Sequence, residues 1–504
     1  MKPYPLLKTL LAACLFSALP GHAAQPARPN LILIIADDLG TQLGCYGDKT
    51  ARTPNIDKLA ADGARFSNGH VTAASCSPSR GSMLTGLYPH QHGMMGLSHY
   101  GTERMHDDVP KLPNELKKLG YRTGLIGKTH FEPLKQFELD YYNEDLKKCI
   151  RDRDVLWMNL KAEEFITQTP KDQPFFLILS YIDPHRGDSD DGASYGPGRN
   201  LKFPRVKSGL PATPQTPAET PPFPFLGMDS PEIREEMADY YGAISRLDTG
   251  IGDLRSRLDA MGVWNNTMIV MVGDNGPDVT RGKMAVFESA TRTPFIAAGR
   301  GVRPGTVRDE LVSTIDIFPT FLKAAGAEKP TADRRQCGLP LQPLLQNESP
   351  AWRETLHTEF ITHVPWHFFP RYTARDARHK LVWNLLGGKR ENPLTPANYC
   401  NAWWESRKPR YAGTPIRAVY DRVENPPEVE LFDLEKDPLE MTNLAENPEY
   451  REIRERLMAD LERWREETGD PLLNPAFLAA QEKKGSDYKA RHDNRAKRAK
   501  RAMH

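Results

Sequence analysis

The chain has 504 residues, 39% hydrophobic and 26% charged, the balance of a globular protein with room for roughly two to four ordinary domains, or one large α/β domain with an appendage. A formal net charge of +1 spreads no basic field over the molecule, so nucleic acid is not an expected partner. No interior apolar run is long enough to span a bilayer, so no transmembrane anchor is expected, and the oligomeric state is left open.

Lys2 and Lys8 precede an apolar stretch over residues 10–19 and a small-x-small site at Gly21-His22-Ala23. That pattern is a secretory signal peptide over residues 1–24, so export to a periplasm or the exterior is expected. Of six cysteines, Cys14 leaves with that segment. Cys45, Cys149, Cys337 and Cys400 would permit two disulfides, but their spacing is not that of a metal knuckle and nothing in it says that they pair. Short apolar runs at 30–36, 123–126, 174–181, 267–272 and 294–298 read as buried strands; being continuous rather than alternating, they suit a parallel sheet covered on both faces. Helices are expected between them. Thr53-Pro54 opens one through residue 64, with others at 112–119 and 230–261. The proline-dense stretch 203–231 reads as an irregular surface excursion. The predicted fold is therefore α/β, a large, mostly parallel sheet sandwiched by helices. From about residue 341 the runs at 355–360, 372–383 and 429–434 predict a smaller C-terminal domain on an antiparallel sheet, closed by a helix over 448–468 with Asn447 as cap. The expected division is 25–340, 341–475 and a basic, polar tail 476–504 that reads as disordered.

The residues just beyond four of the strands carry the chemistry. The first strand ends in Asp37-Asp38, the second in Gly127-Lys128-Thr129-His130, the third in Asp183-Pro184-His185-Arg186, and the fourth in Gly273-Asp274-Asn275-Gly276. The carboxyl ends of parallel strands share one edge, where ligands bind, so these groups should converge. Buried charges need partners or a metal. Asp37, Asp38, Asp274 and Asn275 all offer oxygen, which favours a hard cation, calcium or less readily magnesium, over zinc.

Ser75-Cys76-Ser77-Pro78-Ser79-Arg80 runs on into Leu84-Thr85-Gly86. With that signature the sequence resembles the formylglycine-dependent sulfatases of the alkaline phosphatase superfamily, from Pro29 to about Asp470. Residues 30–40, 53–64, 127–130, 273–277 and 430–444 look like family landmarks. So does Lys283-x-x-Val286-Phe287-Glu288-x-x-x-Arg292-x-Pro294. Two departures remove no functional group: Thr129 stands where an aromatic is common, and Ser289-Ala290 where Gly-Gly is usual.

The resemblance implies an alkaline-phosphatase-like fold and oxidation of Cys76 to formylglycine by a maturation enzyme. Cys76 would also touch the cation held by Asp37, Asp38, Asp274 and Asn275. It implies that Lys128 and Lys283 bind sulfate, that Arg80 orients the modified residue, and that His185 and His130 serve as acid and base, in an order the sequence leaves open. Within the family, residues 76–97, Asp183-Pro184-His185-Arg186 and Trp464-x-x-Glu467-Thr468-x-Asp470-Pro471 look closest to the sulfamidases of heparan degradation. Exo-action on glucosamine N-sulfate of heparan- or heparin-type glycans is then the expected reaction. An O-sulfatase on glucosamine 6-sulfate is the first alternative, because Lys283 stands where those sulfamidases look to carry arginine. A phosphoesterase or phosphonate hydrolase, or an inactive sulfated-glycan binding protein, completes the set. Glu359, His363, Trp366, His367 and Arg371 fall where such enzymes place a substrate-facing loop, and are the candidate sugar contacts.

Overall fold

The computed structural model describes residues 28–100, 103–187, 203, 214–389, 391–393 and 400–502. The expected signal peptide lies outside these residues. Two sheets organise the chain. The larger comprises β1 (Asn30–Ala36), β2 (Gly63–His70), β3 (Arg122–Gly127), β4 (Tyr141–Asn143), β5 (Phe175–Tyr181), β6 (Thr267–Gly273), β7 (Phe295–Gly299) and β8 (Thr306–Ser313), in the order β4-β3-β5-β1-β6-β7-β2-β8. Only β7 runs against its neighbours. The smaller is antiparallel: β9 (Leu356–Phe360), β10 (Arg371–Arg375), β11 (His379–Asn384) and β12 (Val429–Asp433), in the order β12-β11-β10-β9.

The continuous apolar strands are explained by a core on each face of the large sheet. Ile32, Ile34, Leu177 and Leu179 point to one side, under the helices Val155–Thr167 and Pro231–Ala260. Their neighbours Leu31, Leu33, Phe176 and Ile178 point to the other, with Met83, Leu84, Leu112 and Phe318. A third core joins the small sheet, through Tyr372, Leu381 and Leu431, to Leu457, Leu461 and Trp464 of the helix Arg451–Thr468.

Four expectations need correction. The helix opened by Thr53 stops at Ala61, and β2 begins at Gly63. The Thr53 side chain does not cap it; Asp248 of the helix Pro231–Ala260 accepts from the Asn55 and Ile56 amides at 2.9 and 2.8 Å instead. Strands β2 and β8 escape a search for apolar runs because they carry polar residues, and β8 alternates as an edge strand does. In the proline-dense stretch, residues 204–213 lie outside the described residues and 216–219 are exposed, but Phe203 and Phe223 meet Tyr240 edge to face and Phe225 and Leu226 join the same core, so its flanks are not a surface excursion.

The fourth correction is the tail. It is a helix, Pro475–Ala502. Its first turn is anchored by Phe477 and Leu478 on the third core, and alanine, lysine and arginine, all strong helix formers, carry it onward.

Candidate active site

The adjacent parallel strands β3, β5, β1 and β6 end at one edge. Leaving β1, Asp38 turns into the left-handed region (φ 62°), where aspartate is tolerated better than most residues. Three bonds pin this turn. The Asp38 amide donates to Asp274 Oδ1 (2.9 Å), the Tyr240 hydroxyl donates to the Asp38 carbonyl (3.0 Å), and the Gly40 amide donates to that hydroxyl (3.1 Å). At the end of β3, Gly127 has φ 97°, and a Cβ there would stand 2.1 Å from the Ser180 carbonyl. Glycine alone lets the chain turn so tightly and bring Lys128 inward. Beyond β5, buried Asp183 accepts from Arg246 at 2.6 and 2.7 Å and from Arg153 at 2.8 Å. Arg153 also donates to the His185 carbonyl (2.7 Å), which fixes the turn carrying that histidine.

Cys76 opens the helix Cys76–Thr85, every residue of which is buried. Its amino end brings partial positive charge to the strand ends. One turn on, the fully buried Arg80 donates from Nε to Asp274 Oδ2 (2.8 Å) and from Nη1 to the Lys128 carbonyl (3.0 Å) and the Ser180 hydroxyl, and its Nη2 lies 3.5 Å from Asp37 Oδ1. Lys128 Nζ donates to Asp37 Oδ2, and Lys283 Nζ stands 2.8 Å from Asp38 Oδ1. Asn275 Nδ2 donates to Asp38 Oδ1 (2.8 Å). Cys76 Sγ is 3.9 Å from Asp38 Oδ1, and His185 Nε2 is 3.8 Å from Asp38 Oδ2. One ligand atom from each of Asp37, Asp38, Cys76 and His185 falls within 4.8 Å of the others.

Three buried carboxylates thus face three buried cations. Burial opposes the charge on Asp37, yet Lys128, His185 and Arg80 hold its carboxyl well below the usual range. Asp38 is raised by burial against the pull of Lys283, and Asp274 is pushed to about 7 by burial and by Asp37. The Cys76 thiol is driven well above its ordinary value by burial and by Asp37, so an unmodified thiol here is a poor nucleophile. The residues fit a hard divalent cation. Their donors are oxygens, and two of these, Asp37 Oδ1 and Asn275 Oδ1, are buried without a hydrogen-bond partner. A dication added to this balanced set leaves a local excess of about two positive charges, suited to an anion.

Of the five candidate sugar contacts, three come to this centre. Trp366 packs on the cluster of Cys76, Leu97 and Val364. His363 Nδ1 lies 3.0 Å from the Ser75 hydroxyl, and His363 and His367 stack at 6.4 Å. Burial, with Lys283 next, pushes the His363 imidazole well below its usual range. The other two do not reach the site. Glu359 is buried, its carboxylate accepting from the His90 amide (2.9 Å) and pairing with His90 Nδ1 (2.6 Å). Arg371 is buried over the Phe360 ring and donates to the Met284 carbonyl, so it braces the loop of Lys283.

Sequence reasoning overlooked His99. Its Nδ1 lies 2.7 Å from His130 Nε2, with the rings 4.9 Å apart. His99 sits in the single 3₁₀ turn Ser98–Tyr100 just after Leu97, and no strand end points to it. Sequence reasoning also overlooked Arg153 and Arg246, whose service to Asp183 becomes visible only once the helices are packed.

The chain matches the sulfatase family over residues 29–327, and the C-terminal family of N-sulphoglucosamine sulphohydrolase over residues 281–386. It is 32% identical over 473 residues to human N-sulphoglucosamine sulphohydrolase, covering 89% of this chain and 92% of that protein. An N-acetylglucosamine-6-O-sulfatase of Bacteroides thetaiotaomicron is 25% identical over 550 residues, covering 91% and 90%. A solved structure described as a complex with its substrate D-glucosamine-2-N,6-O-disulfate superposes with a TM-score of 0.64 at 21% identity, covering 88% of this chain and 99% of that one, a likeness of fold. Members of the matching family generally use a formylglycine and a divalent metal. The helix opened by Cys76, the acidic strand ends and these matches agree: the chain belongs to the sulfatase family, hydrolases of sulfate esters and sulfamates.

Proposed function

We propose that this protein releases sulfate from sulfated sugars through formylglycine at position 76 and a calcium ion, acting at chain ends on glucosamine N-sulfate of heparan- or heparin-type glycans. The observation that carries the reading is the meeting of four strand ends around Cys76, where oxygen donors face two lysines and Arg80. Asp37, Asp38, Asp274 and Asn275 would hold the cation, with the modified Cys76 beside them. When bound, the ion supplies positive charge against a sulfate oxygen and favours ionisation of a neighbouring hydroxyl.

Lys128 and Lys283 hold the remaining sulfate oxygens and stabilise charge as it develops on them. Arg80 fixes the orientation of the helix's first residue and helps to keep Asp37 ionised. The hydrated aldehyde at position 76 carries two hydroxyls on one carbon. Attack by one on sulfur breaks the sulfur–nitrogen or sulfur–oxygen bond to the sugar, and His185 gives a proton to the departing atom. Loss of a proton from the second hydroxyl to His130 lets the carbon–oxygen bond break, which releases sulfate and restores the aldehyde. A plain serine or thiol offers no second hydroxyl and would stop at the ester.

The N-sulfate choice is supported by the 32% identity to the human enzyme of that name, and by the sulfamidase-like run 76–97. A 6-O-sulfate is the second reading, favoured by Lys283 and by the likeness to the N-acetylglucosamine-6-O-sulfatase. Sulfate release from glucosamine N-sulfate, measured beside N-acetylglucosamine 6-sulfate, decides between them. Release from the O-sulfate alone overturns the substrate while leaving the sulfatase. We also infer export to a periplasm or the exterior, maturation by a formylglycine-generating enzyme, and a division near residue 340 between a catalytic part and a smaller one built on β9–β12.

A further inference from the structure

The helix Pro475–Ala502 lies against the short turn Pro365–His367. Gly485 is buried there, and a Cβ on it would stand 2.7 Å from the Pro365 carbonyl. The neighbouring Lys484 donates to the buried carboxylate of Glu103 at 2.9 Å, which fastens the helix to the segment ahead of the helix Leu112–Lys118. The same turn carries Trp366, packed on the Cys76 cluster, and comes just after His363, bonded to Ser75. One side of the turn therefore belongs to the reacting centre and the other to this helix.

Residues four apart share a helix face. Lys489 accordingly stands on the face of Gly485, above the turn, and it is exposed. Its charge acts with burial in holding the His367 imidazole down at about 4. Arg491, two residues on and therefore on another face, lies with its guanidinium 5.2 Å from the Tyr488 ring. Lys483 is paired with Asp487. Past these residues the sequence adds Arg495, Lys497, Arg498, Lys500 and Arg501 against Asp493 alone.

A terminal sugar whose sulfate reaches Cys76 must send the rest of its chain out past the rim, and this turn with the helix behind it is part of that rim. We propose that Lys489 forms a subsite for the carboxylate or sulfate of the next sugar in a polyanionic substrate chain. The inference rests on the reading of this protein as a sulfatase of sulfated glycans. It makes the C-terminal helix a device that prefers oligosaccharides over single sugars, with a contribution that salt screens.

The test uses the full chain and the variants Lys489→Glu and Lys489→Arg. The probes are glucosamine N-sulfate and a heparin-derived tetrasaccharide that ends in it, with binding of the tetrasaccharide measured at low and high salt. Lys489→Glu should weaken tetrasaccharide binding and raise its KM about fivefold, the size of a screened ion pair or a little more. Turnover of the single sugar should stay unchanged, and Lys489→Arg should behave as wild type. Unchanged tetrasaccharide binding in Lys489→Glu overturns the subsite, as does an equal loss on both sugars. Equally tight binding of a DNA oligomer of matched charge also overturns it, since the helix would then be a general polyanion patch. A wild-type enzyme inactive on the single sugar refutes the substrate reading, and the binding measurement still decides the subsite.

Discussion

Replacing Asp183 by asparagine keeps the shape of the side chain and removes its charge from between two guanidiniums. Asp183 and Arg246 are fully buried and Arg153 is 3% exposed, so water cannot compensate either arginine. Burial opposes the Asp183 carboxylate, yet Arg246 and Arg153 hold its pKa below the ordinary value, so the anion is the native form. Breaking a buried ion pair in this way costs about 3–5 kcal/mol. An unfolding entropy of about 2.1 cal/mol/K per residue amounts to roughly 1 kcal/mol per kelvin over this chain, so Tm should fall by about 3–5 °C. Turnover should fall as well, because Arg153 joins this carboxylate to the His185 carbonyl. Differential scanning calorimetry beside steady-state kinetics reads both. A variant that melts with wild type and keeps its kcat would refute the claim that this triad holds the His185 turn.

Asp274→Asn should abolish turnover and weaken divalent-cation binding, measured by titration calorimetry after chelation and dialysis, whereas replacement of the exposed Cys337 should leave both intact. Wild-type cation binding should expel protons, because burial and Asp37 raise the Asp274 carboxyl to about 7. Between about pH 4 and 7 the cation-free folded chain holds a proton that the unfolded chain has lost, so its stability falls as pH rises through that window and apparent cation affinity rises; a cation affinity flat from pH 6 to 8 would contradict this. Glu359→Gln should cost about 3 kcal/mol of stability by stranding the buried His90, while leaving KM for the sugar unchanged, since Glu359 faces that histidine and not the site. His99→Ala should lower kcat about tenfold with little change in KM, and added imidazole should restore part of it; an unchanged kcat removes His99 from the site's support.

The strand ends were legible because continuous apolar runs announce buried parallel strands, and topology then forces their carboxyl ends to one edge. Asp37, Lys128, His185 and Asp274 needed no further information to be brought together. Cys76 was legible from its short signature, since Arg80 has to stand one helical turn away to reach Asp274. Less was readable where polar residues do structural work. Glu359 looked like a sugar contact because a carboxylate beside aromatics fits that role equally well, and only packing reveals its partner, His90, 269 residues earlier. The tail looked disordered because composition omits the anchoring of Phe477 and Leu478 on the third core. His99 carried no signal in its spacing, and its place beside His130 depends on how the turn Ser98–Tyr100 packs against the residues that follow β3.

The central claim is that Cys76 acts after conversion to an aldehyde. Mass spectrometry of the tryptic peptide containing residue 76, taken from protein shown to be turning over a sulfated sugar, tests it most directly. The account predicts a residue that has lost the elements of hydrogen sulfide and gained one oxygen relative to cysteine, in a fraction that scales with specific activity across preparations. An intact thiol at position 76 in fully active protein would contradict it.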